Sequence, residues 1–241
     1  MSRIVFFLLV LLSTHSLIAQ KVLDKHGVVI RSDTLKKNIY LCFTGHDFYE
    51  GFEHVLQVMK DQNVNASFFL TGDFVRSHRG LIKSIAADGH LIGAHSDKHL
   101  LYCDWIKRDS LLYAPDIIKA DILHNLQALK DLDIQPTYFM PPYEWYNNKV
   151  VEIARELNQI TVNFSPGTRS NADYTTPIMP NYMSSSAILE SVYTTEKLNG
   201  LNGFHLLIHP GTSPLRKDKL YSHLEKLIID LKEKGYQFVR F

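Results

Sequence analysis

Cysteine is nearly absent from this sequence, and its scarcity excludes a disulfide-stabilised scaffold. The two cysteines are Cys42 and Cys103. Cys42 lies in an apolar stretch, so we predict a buried free thiol there, with a Cys42–Cys103 bridge as the alternative. An excess of one charge is absent too, because the 25 basic residues that remain without Arg3 equal the 25 acidic ones. Such a neutral chain is not adapted to bind nucleic acid or an anionic membrane surface.

A long hydrophobic run is also missing. The apolar stretch Ile4–Leu12 has nine residues, whereas a transmembrane helix needs about 20, so we expect no membrane span. The basic start before this stretch and the small Ala19 after it are typical of a secretory signal peptide. We therefore predict a signal peptide over residues 1–19, an N-terminal extension over residues 20–37, and an exported protein, periplasmic or extracellular.

Internal repeats are absent, and the chain instead alternates short apolar runs with amphipathic helical patterns. The predicted strands are Asn38–Phe43, Ala66–Leu70, His90–Ala94, Thr137–Met140, Ile160–Phe164, Phe204–Ile208 and Gln237–Phe241. The predicted helices are Gly51–Asp61, Leu81–Asp88, Pro115–Leu132, Asn147–Leu157, Ser185–Leu198 and Lys217–Lys234. This alternation predicts an α/β domain over residues 38–241, with a parallel sheet closed or nearly closed into a barrel. An open doubly wound sheet is the alternative.

Polar residues cluster directly after several of these strands. The clusters are Thr44–Asp47, His95–His99, Pro141–Trp145 and His209–Thr212. Because the carboxyl ends of parallel strands meet at one edge of a sheet, we expect the four clusters to form a single site. The segment Ser165–Ser186 has little periodicity and is predicted to be an extended active-site loop.

Three residues of these clusters form a candidate metal site. His95 and His99 are four residues apart, which would place both imidazoles on one face of a helical turn. Asp47 follows a strand beside a glycine and is the best third ligand, with the capping of the next helix as its alternative role. Two histidines and a carboxylate are the ligand set of a catalytic divalent metal, for which zinc is the expected ion.

Two further residues are candidates for the chemistry of hydrolysis. His209 follows a buried strand and is predicted to protonate a leaving group, with a core histidine as the alternative. Tyr143 lies in a Pro-Pro turn, where its backbone N–H would stabilise a developing oxyanion. A rigid aromatic turn without a catalytic role is the alternative for Tyr143.

Several motifs carry a family resemblance. Residues 89–99, GHLIGAHSDKH, resemble the metal-binding motif of the polysaccharide deacetylases, the carbohydrate esterases with NodB homology. Residues 66–72 resemble the second strand of that family, residues 139–143 its Pro-Pro-Tyr turn and residues 206–209 its closing Leu-x-His motif. The resemblance implies a distorted (β/α)7 barrel that binds one divalent metal through Asp-His-His. It also implies hydrolysis of acetyl groups on a glycan, usually the N-acetyl group of an amino sugar.

The first motif departs from the family pattern. Family members carry an Asp-Asp pair after the first strand, whose first member is the general base and whose second is a metal ligand. Here Asp47 is expected to be the ligand, and His46 occupies the position of the base. The ordinary histidine pKa of about 6.5 suits that task. The alternatives are His46 as another ligand, with Glu50 or Glu144 as the base.

The residues that would orient the catalytic groups also depart from the pattern. Met140 stands where the family has an arginine before the Pro-Pro-Tyr turn. The Trp-Asp motif that tunes the acid histidine is not recognisable. Arg169 and Asp173, both in the long loop, are the candidates for supplying the missing charges.

These features lead to one functional prediction with two alternatives. We predict a secreted, metal-dependent deacetylase that removes acetyl groups from a glycan. The altered first motif favours, as a first alternative, a glycan-binding protein on a degenerate esterase barrel. The second alternative is a metal-dependent O-acetyl esterase, because an ester is easier to cleave than an amide.

Overall fold

The computed structural model describes residues 20–241, and the predicted signal peptide lies outside this range. Its strands join into one sheet. They are β1 (Val22–Leu23), β2 (Val29–Arg31), β3 (Asn38–Gly45), β4 (Ser67–Leu70), β5 (Leu91–Ala94), β6 (Tyr138–Phe139), β7 (Ile160–Thr161), β8 (Phe204–Ile208) and β9 (Gln237–Val239). The seven strands predicted from the sequence correspond to β3–β9, mostly with shorter ends.

Helices connect most of the parallel strands. They are α1 (Phe52–Asp61), α2 (Gly72–Ser77), α3 (Arg79–Ala87), α4 (Pro115–Lys130), α5 (Asn148–Glu156), α6 (Ser185–Asn199) and α7 (Leu224–Glu233). Helix α2 was not predicted, because six residues are too few for a periodic pattern. Its first turn is capped by Thr71, whose hydroxyl accepts a hydrogen bond from the Phe74 amide. No helix in the described range is long and apolar enough to cross a membrane.

The sheet curls around a central core. Its strand order is β1-β2-β8-β3-β4-β5-β6-β7, with β9 paired to the first half of β3. The pairs from β8 to β7 are parallel, while β2 runs antiparallel to β8. An isolated bridge joins Val29 to Val162 and brings the two ends of the sheet together. The predicted α/β barrel is therefore confirmed, and the open doubly wound sheet is not formed.

The segment predicted as an N-terminal extension contributes to this sheet. Strand β2 pairs with β8 through Arg31 and Phe204. The turn between β1 and β2 is held by Asp24, whose carboxylate accepts hydrogen bonds from the Val28 amide and the Tyr146 hydroxyl. Residues 20–37 therefore help to close the barrel.

The core follows from the burial of the central strands. Strand β8 is buried along its whole length, and β3 is buried over its last five residues. Cys42 and Cys103 are both buried free thiols, so the alternative disulfide is not formed. Burial raises the pKa of the Cys42 thiol, which keeps it protonated.

Strand register sets the position of the polar clusters. Gly45 at the end of β3 is level with Leu70 at the end of β4, and Leu70 is level with Ala94 at the end of β5. On the other side of β3, Phe43 pairs with Ile208, which directly precedes His209. The residues that follow these strands therefore emerge at one edge of the barrel.

Candidate active site

The carboxyl edge of the barrel carries an open cavity of about 460 Å³. All six residues predicted as catalytic or metal-binding line it. The lining residues are Thr44, His46, Asp47, Phe48, His95, His99, Trp105, Tyr143, Glu144, Tyr174, Met179, His209, Gly211, Thr212 and Ser213. The structure thus brings the four predicted clusters together, as the strand order requires.

Residues 95–99 form a loop, so the expected helical turn is wrong. Ser96 and His99 have left-handed backbone angles, with φ of 69° and 54°. The Ser96 hydroxyl accepts a hydrogen bond from the His99 amide at 3.0 Å and stabilises this bend. The bend nevertheless brings the two imidazoles close together, with 4.9 Å between the ring centroids of His95 and His99.

His95 is fixed by two hydrogen bonds. Its backbone N–H donates to the Asn125 side chain at 2.8 Å, and its ring Nδ1 lies 2.7 Å from the Met140 carbonyl. Because Nδ1 donates to that carbonyl, Nε2 carries the free lone pair. Burial lowers the pKa of His95 to about 3 and also lowers that of His99. Both rings are therefore neutral and able to act as electron-pair donors.

Asn125 is the buried support of this arrangement. Its side-chain N–H donates to the Leu70 carbonyl at 3.0 Å, while its oxygen accepts from the His95 amide. We expect Asn125→Ala to lower the free energy of unfolding by about 1–3 kcal/mol, because two buried partners lose their hydrogen bonds. Urea unfolding measures this loss. Gln127→Ala, an exposed position on the same helix, is the control and should change stability by less than about 0.5 kcal/mol; equal losses in both variants would contradict the prediction.

His46 and Asp47 follow β3 as a pair. An added Cβ at Gly45 would lie 2.8 Å from the Leu70 side chain, so the first large polar side chain after the strand is His46. The His46 ring stacks on His99 with 4.2 Å between centroids, and its Nε2 lies 3.2 Å from an Asp47 carboxylate oxygen. The His46 Nδ1 is buried and has no hydrogen-bond partner among residues 20–241. Burial lowers the pKa of His46 against the opposing charge of Asp47.

Asp47 does not have the helix-capping role that was its alternative. The residue that caps α1 is Gly51, and no side chain accepts a hydrogen bond from the first turn of that helix. The Asp47 side chain is 67% exposed and is turned toward His46. Its carboxylate therefore reaches His46 directly, in the manner of an outer partner that orients a ligating imidazole.

The donor chemistry of the cavity fits a divalent metal, but the donors do not converge. Among residues 20–241, no group of three or more His, Cys, Asp or Glu side chains is positioned to hold a metal ion. The rings of His46, His95 and His99 are nevertheless neighbours, and the buried Nδ1 of His46 lacks a partner. Neutral imidazoles are common ligands of divalent zinc. The residues present thus fit the ion in chemical type.

His209 is held by a buried carboxylate from the long loop. The Nδ1 of His209 lies 2.6 Å from Asp173, whose other oxygen accepts a hydrogen bond from the His209 amide at 2.8 Å. Burial alone would lower the pKa of His209, but the charge and hydrogen bond of Asp173, together with the charge of Glu144, raise it above its usual value. These contacts favour the protonated form of His209. Of the two candidates for the orienting charge, Arg169 and Asp173, it is Asp173 that contacts His209.

The Pro-Pro-Tyr turn carries two consecutive left-handed residues. Tyr143 and Glu144 have φ of 58° and 51°, a conformation that costs a residue other than glycine about 1–3 kcal/mol. The amides of Glu144 and Trp145 close the turn by donating to Pro141 and Pro142. The Tyr143 ring lies 4.4 Å from His99 between centroids. The turn thus brings both Tyr143 and Glu144 to the cavity.

The two remaining carboxylate candidates differ in their surroundings. Glu50 forms an ion pair with Lys219 at 2.8 Å and accepts a hydrogen bond from the Thr212 amide. Glu144 lines the cavity beside the histidines, and burial raises its pKa to about 7, with Asp173 adding to the rise and His209 opposing it. Of these two candidates for the base, Glu144 is therefore the one that lines the cavity and is not held in an ion pair.

The sequence did not reveal that Arg216 supports the candidate site. Arg216 is fully buried and donates hydrogen bonds to the carbonyls of Thr175 and Met183, both in the long loop. This loop provides Tyr174 and Met179 to the cavity. An arginine outside any motif gives no sequence signal of such an anchoring role, because its partners are backbone atoms.

Comparison with known proteins finds a matching family model and several similar proteins. The family model for polysaccharide deacetylase matches residues 31–162. The uncharacterized protein YlxY of Bacillus subtilis is 32% identical over 78% of this chain, which spans only 50% of that relative's length. A peptidoglycan-N-acetylglucosamine deacetylase of Bacillus cereus is 25% identical, with 77% of each chain covered.

Solved structures agree on the fold. The wild-type BA3943 protein of Bacillus anthracis, described as a CE4 family pseudoenzyme, superposes with a TM-score of 0.72 and 22% identity. The match covers 88% of this chain and 66% of that one. The family model covers more than half of the chain, and the predicted resemblance to this family is thereby confirmed. This chain belongs to the polysaccharide deacetylase family.

Proposed function

We propose that this protein is an exported, metal-dependent hydrolase that removes the N-acetyl group from an amino sugar of a glycan. The observation that carries the proposal is the presence of two kinds of catalytic group in one cavity. Neutral imidazoles that follow β3 and β5 lie there with His209, whose Nδ1 is held by the carboxylate of Asp173. The name of the Bacillus cereus relative supports a glycan with N-acetylglucosamine.

We assign the metal to the histidines of the cavity. His95 and His99 are two ligands, and His46 completes the set through its unpartnered Nδ1, oriented by Asp47. A bound divalent cation would supply a polarised acetyl carbonyl and an activated water. The direct ligand role of Asp47 stays a prediction from the sequence, and metal analysis of the variants described in the Discussion tests it.

Other residues of the protein would perform the remaining steps, which are oxyanion stabilisation, protonation of the amine and binding of the sugar. The Tyr143 backbone N–H is a candidate donor to the oxyanion that develops on the acetyl oxygen. His209, whose Nδ1–H donates to Asp173, would protonate the departing amine through Nε2. Exposed aromatic rings at the rim, such as Trp105, which is 54% exposed, provide flat surfaces for sugar rings.

Acetate release tests this function. The purified full-length protein is incubated with N-acetylated and O-acetylated glycans, with added zinc or with a chelator. We expect zinc-dependent release of acetate from N-acetylated glycans and a loss of release with the chelator. Release only from O-acetylated substrates would replace the amide hydrolase with an esterase.

A second candidate function is glycan binding without catalysis. It is favoured by the absence, within the described range, of a converged group of three metal donors. The same experiment separates the two functions: glycan binding by calorimetry, together with no acetate release in any metal, would establish the binding protein.

A further inference from the structure

We propose that Glu144 is the proton acceptor of the hydrolytic reaction. It replaces the first Asp of the family's Asp-Asp pair, which is missing after β3 of this chain. This inference rests on the proposed function and names a residue for it. It assigns to the end of the Pro-Pro-Tyr turn a role that the family pattern places after the first strand.

The positions from Thr44 to Asp47, at the end of β3 and directly after it, leave no carboxylate free for this role. Thr44 has only a hydroxyl, Gly45 has no room for a side chain, and the carboxylate of Asp47 is directed at His46. His46 itself is stacked on His99 and has its Nε2 beside Asp47. These contacts suit a ligand better than a base that must approach a water molecule.

The Glu144 carboxylate, unlike the side chains of His46 and Asp47, is free of such contacts within the described range. Its carboxylate lines the cavity and makes no side-chain hydrogen bond or ion pair with the described part of the chain. Its backbone is fixed, because the Glu144 carbonyl accepts a hydrogen bond from the Asn163 side chain at 3.1 Å. A half-buried carboxylate without a partner among the described residues is unfavourable, so its position inside the cavity points to a role in chemistry.

The backbone conformation supports the same conclusion. Glycine would adopt the φ of 51° at position 144 at little cost, yet a glutamate stands there. Strain of this kind is retained at functional sites. Glu144 therefore combines two unfavourable features, a left-handed backbone and a partly buried charge.

The charged neighbours of Glu144 complete a proton cycle. His209 and Asp173 are the ionisable groups that influence it, and Arg216 acts in turn on His209. The oxygen of the attacking water forms a bond to the acetyl carbon, and one water proton moves to Glu144. The C–N bond then breaks, its electron pair goes to nitrogen, and nitrogen takes a proton from His209. Transfer of the proton from Glu144 to His209, which lines the same cavity, restores both groups. The products are the amine and acetic acid, which releases its proton to water and leaves as acetate.

Three variants test the assignment, with oligomers of N-acetylglucosamine as the probe. We expect Glu144→Gln to lower kcat by roughly 10²–10⁴-fold, with KM and zinc content unchanged and with loss of the acidic limb of the pH profile. Glu144→Gly should lose activity to the same extent, unfold at a higher temperature because the strain is relieved, and regain activity with added formate. Glu50→Gln, a carboxylate paired with Lys219, is the matched control and should keep wild-type kcat.

The outcomes separate this proposal from the proposed function. If wild-type protein releases acetate and Glu144→Gln retains near-normal kcat, Glu144 is not the base, while the deacetylase function stands. Loss of activity without formate rescue, and without a change in the pH profile, would also overturn the role. If the wild-type protein releases no acetate under any metal condition, the proposed function fails and the role of Glu144 fails with it.

Discussion

Replacing His99 with alanine should remove the bound divalent metal and lower acetate release by more than about 100-fold, the upper range for changes that affect only the outer partners of a metal. His99 is the central ring of the cluster, because it contacts both His46 and His95. Its loss separates the other two donors. Metal content by plasma mass spectrometry and acetate release are the two measurements.

A matched control is available on α1. His54 is exposed and lies outside the cavity, so His54→Ala should keep both metal and activity. Retention of stoichiometric zinc by folded His99→Ala would refute the metal assignment. The pair His46→Ala and Asp47→Ala then decides the third ligand: we expect the first to lose the metal and the second to bind it about 10–100-fold more weakly.

Asp173→Asn should lower kcat by roughly 10²–10⁴-fold, which is the usual contribution of general acid catalysis. Asp173 raises the pKa of His209 by its charge and hydrogen bond, so the variant lowers that pKa. The protonated form of His209 is then lost at a lower pH. We therefore expect the basic limb of the kcat profile to move to lower pH while zinc content stays constant.

The pH profile distinguishes this role from simple destabilisation. Asp61→Asn, an exposed carboxylate on α1, is the control and should leave the profile unchanged. A uniform loss of activity at every pH, with the basic limb in its original place, would show that Asp173 only holds the loop. The comparison is made on full-length protein whose folding is verified by circular dichroism.

Much of the fold could be predicted from local patterns. The runs at Asn38–Phe43 and Phe204–Ile208 are apolar enough to identify buried central strands. The second strand has the predicted bounds, and the first continues two residues further, to Gly45. Prediction was weaker where tertiary contacts define the element. Helix α7 begins at Leu224, because residues 220–223 form a separate 3-10 turn within the predicted helix.

The segment before residue 38 shows the same limit. Its residues are polar and show no long periodic pattern, so the sequence predicts an extension there. Strand β2 forms only because β8 and Val162 offer backbone partners at the two ends of the sheet. Hydrogen bonds of this kind join residues far apart in the chain and leave no periodic signal.

The sequence by itself determined that the four polar clusters meet in the cavity, because each cluster lies at the end of a parallel strand and such strands end at one edge. Only the tertiary structure decided how their side chains are used. His209 pairs with Asp173 from 36 residues away, and the Glu144 side chain has no partner in the described part of the chain, at the end of a strained turn. The physical reason is that strand order fixes the location of a residue, whereas burial and long-range contacts fix its charge and orientation.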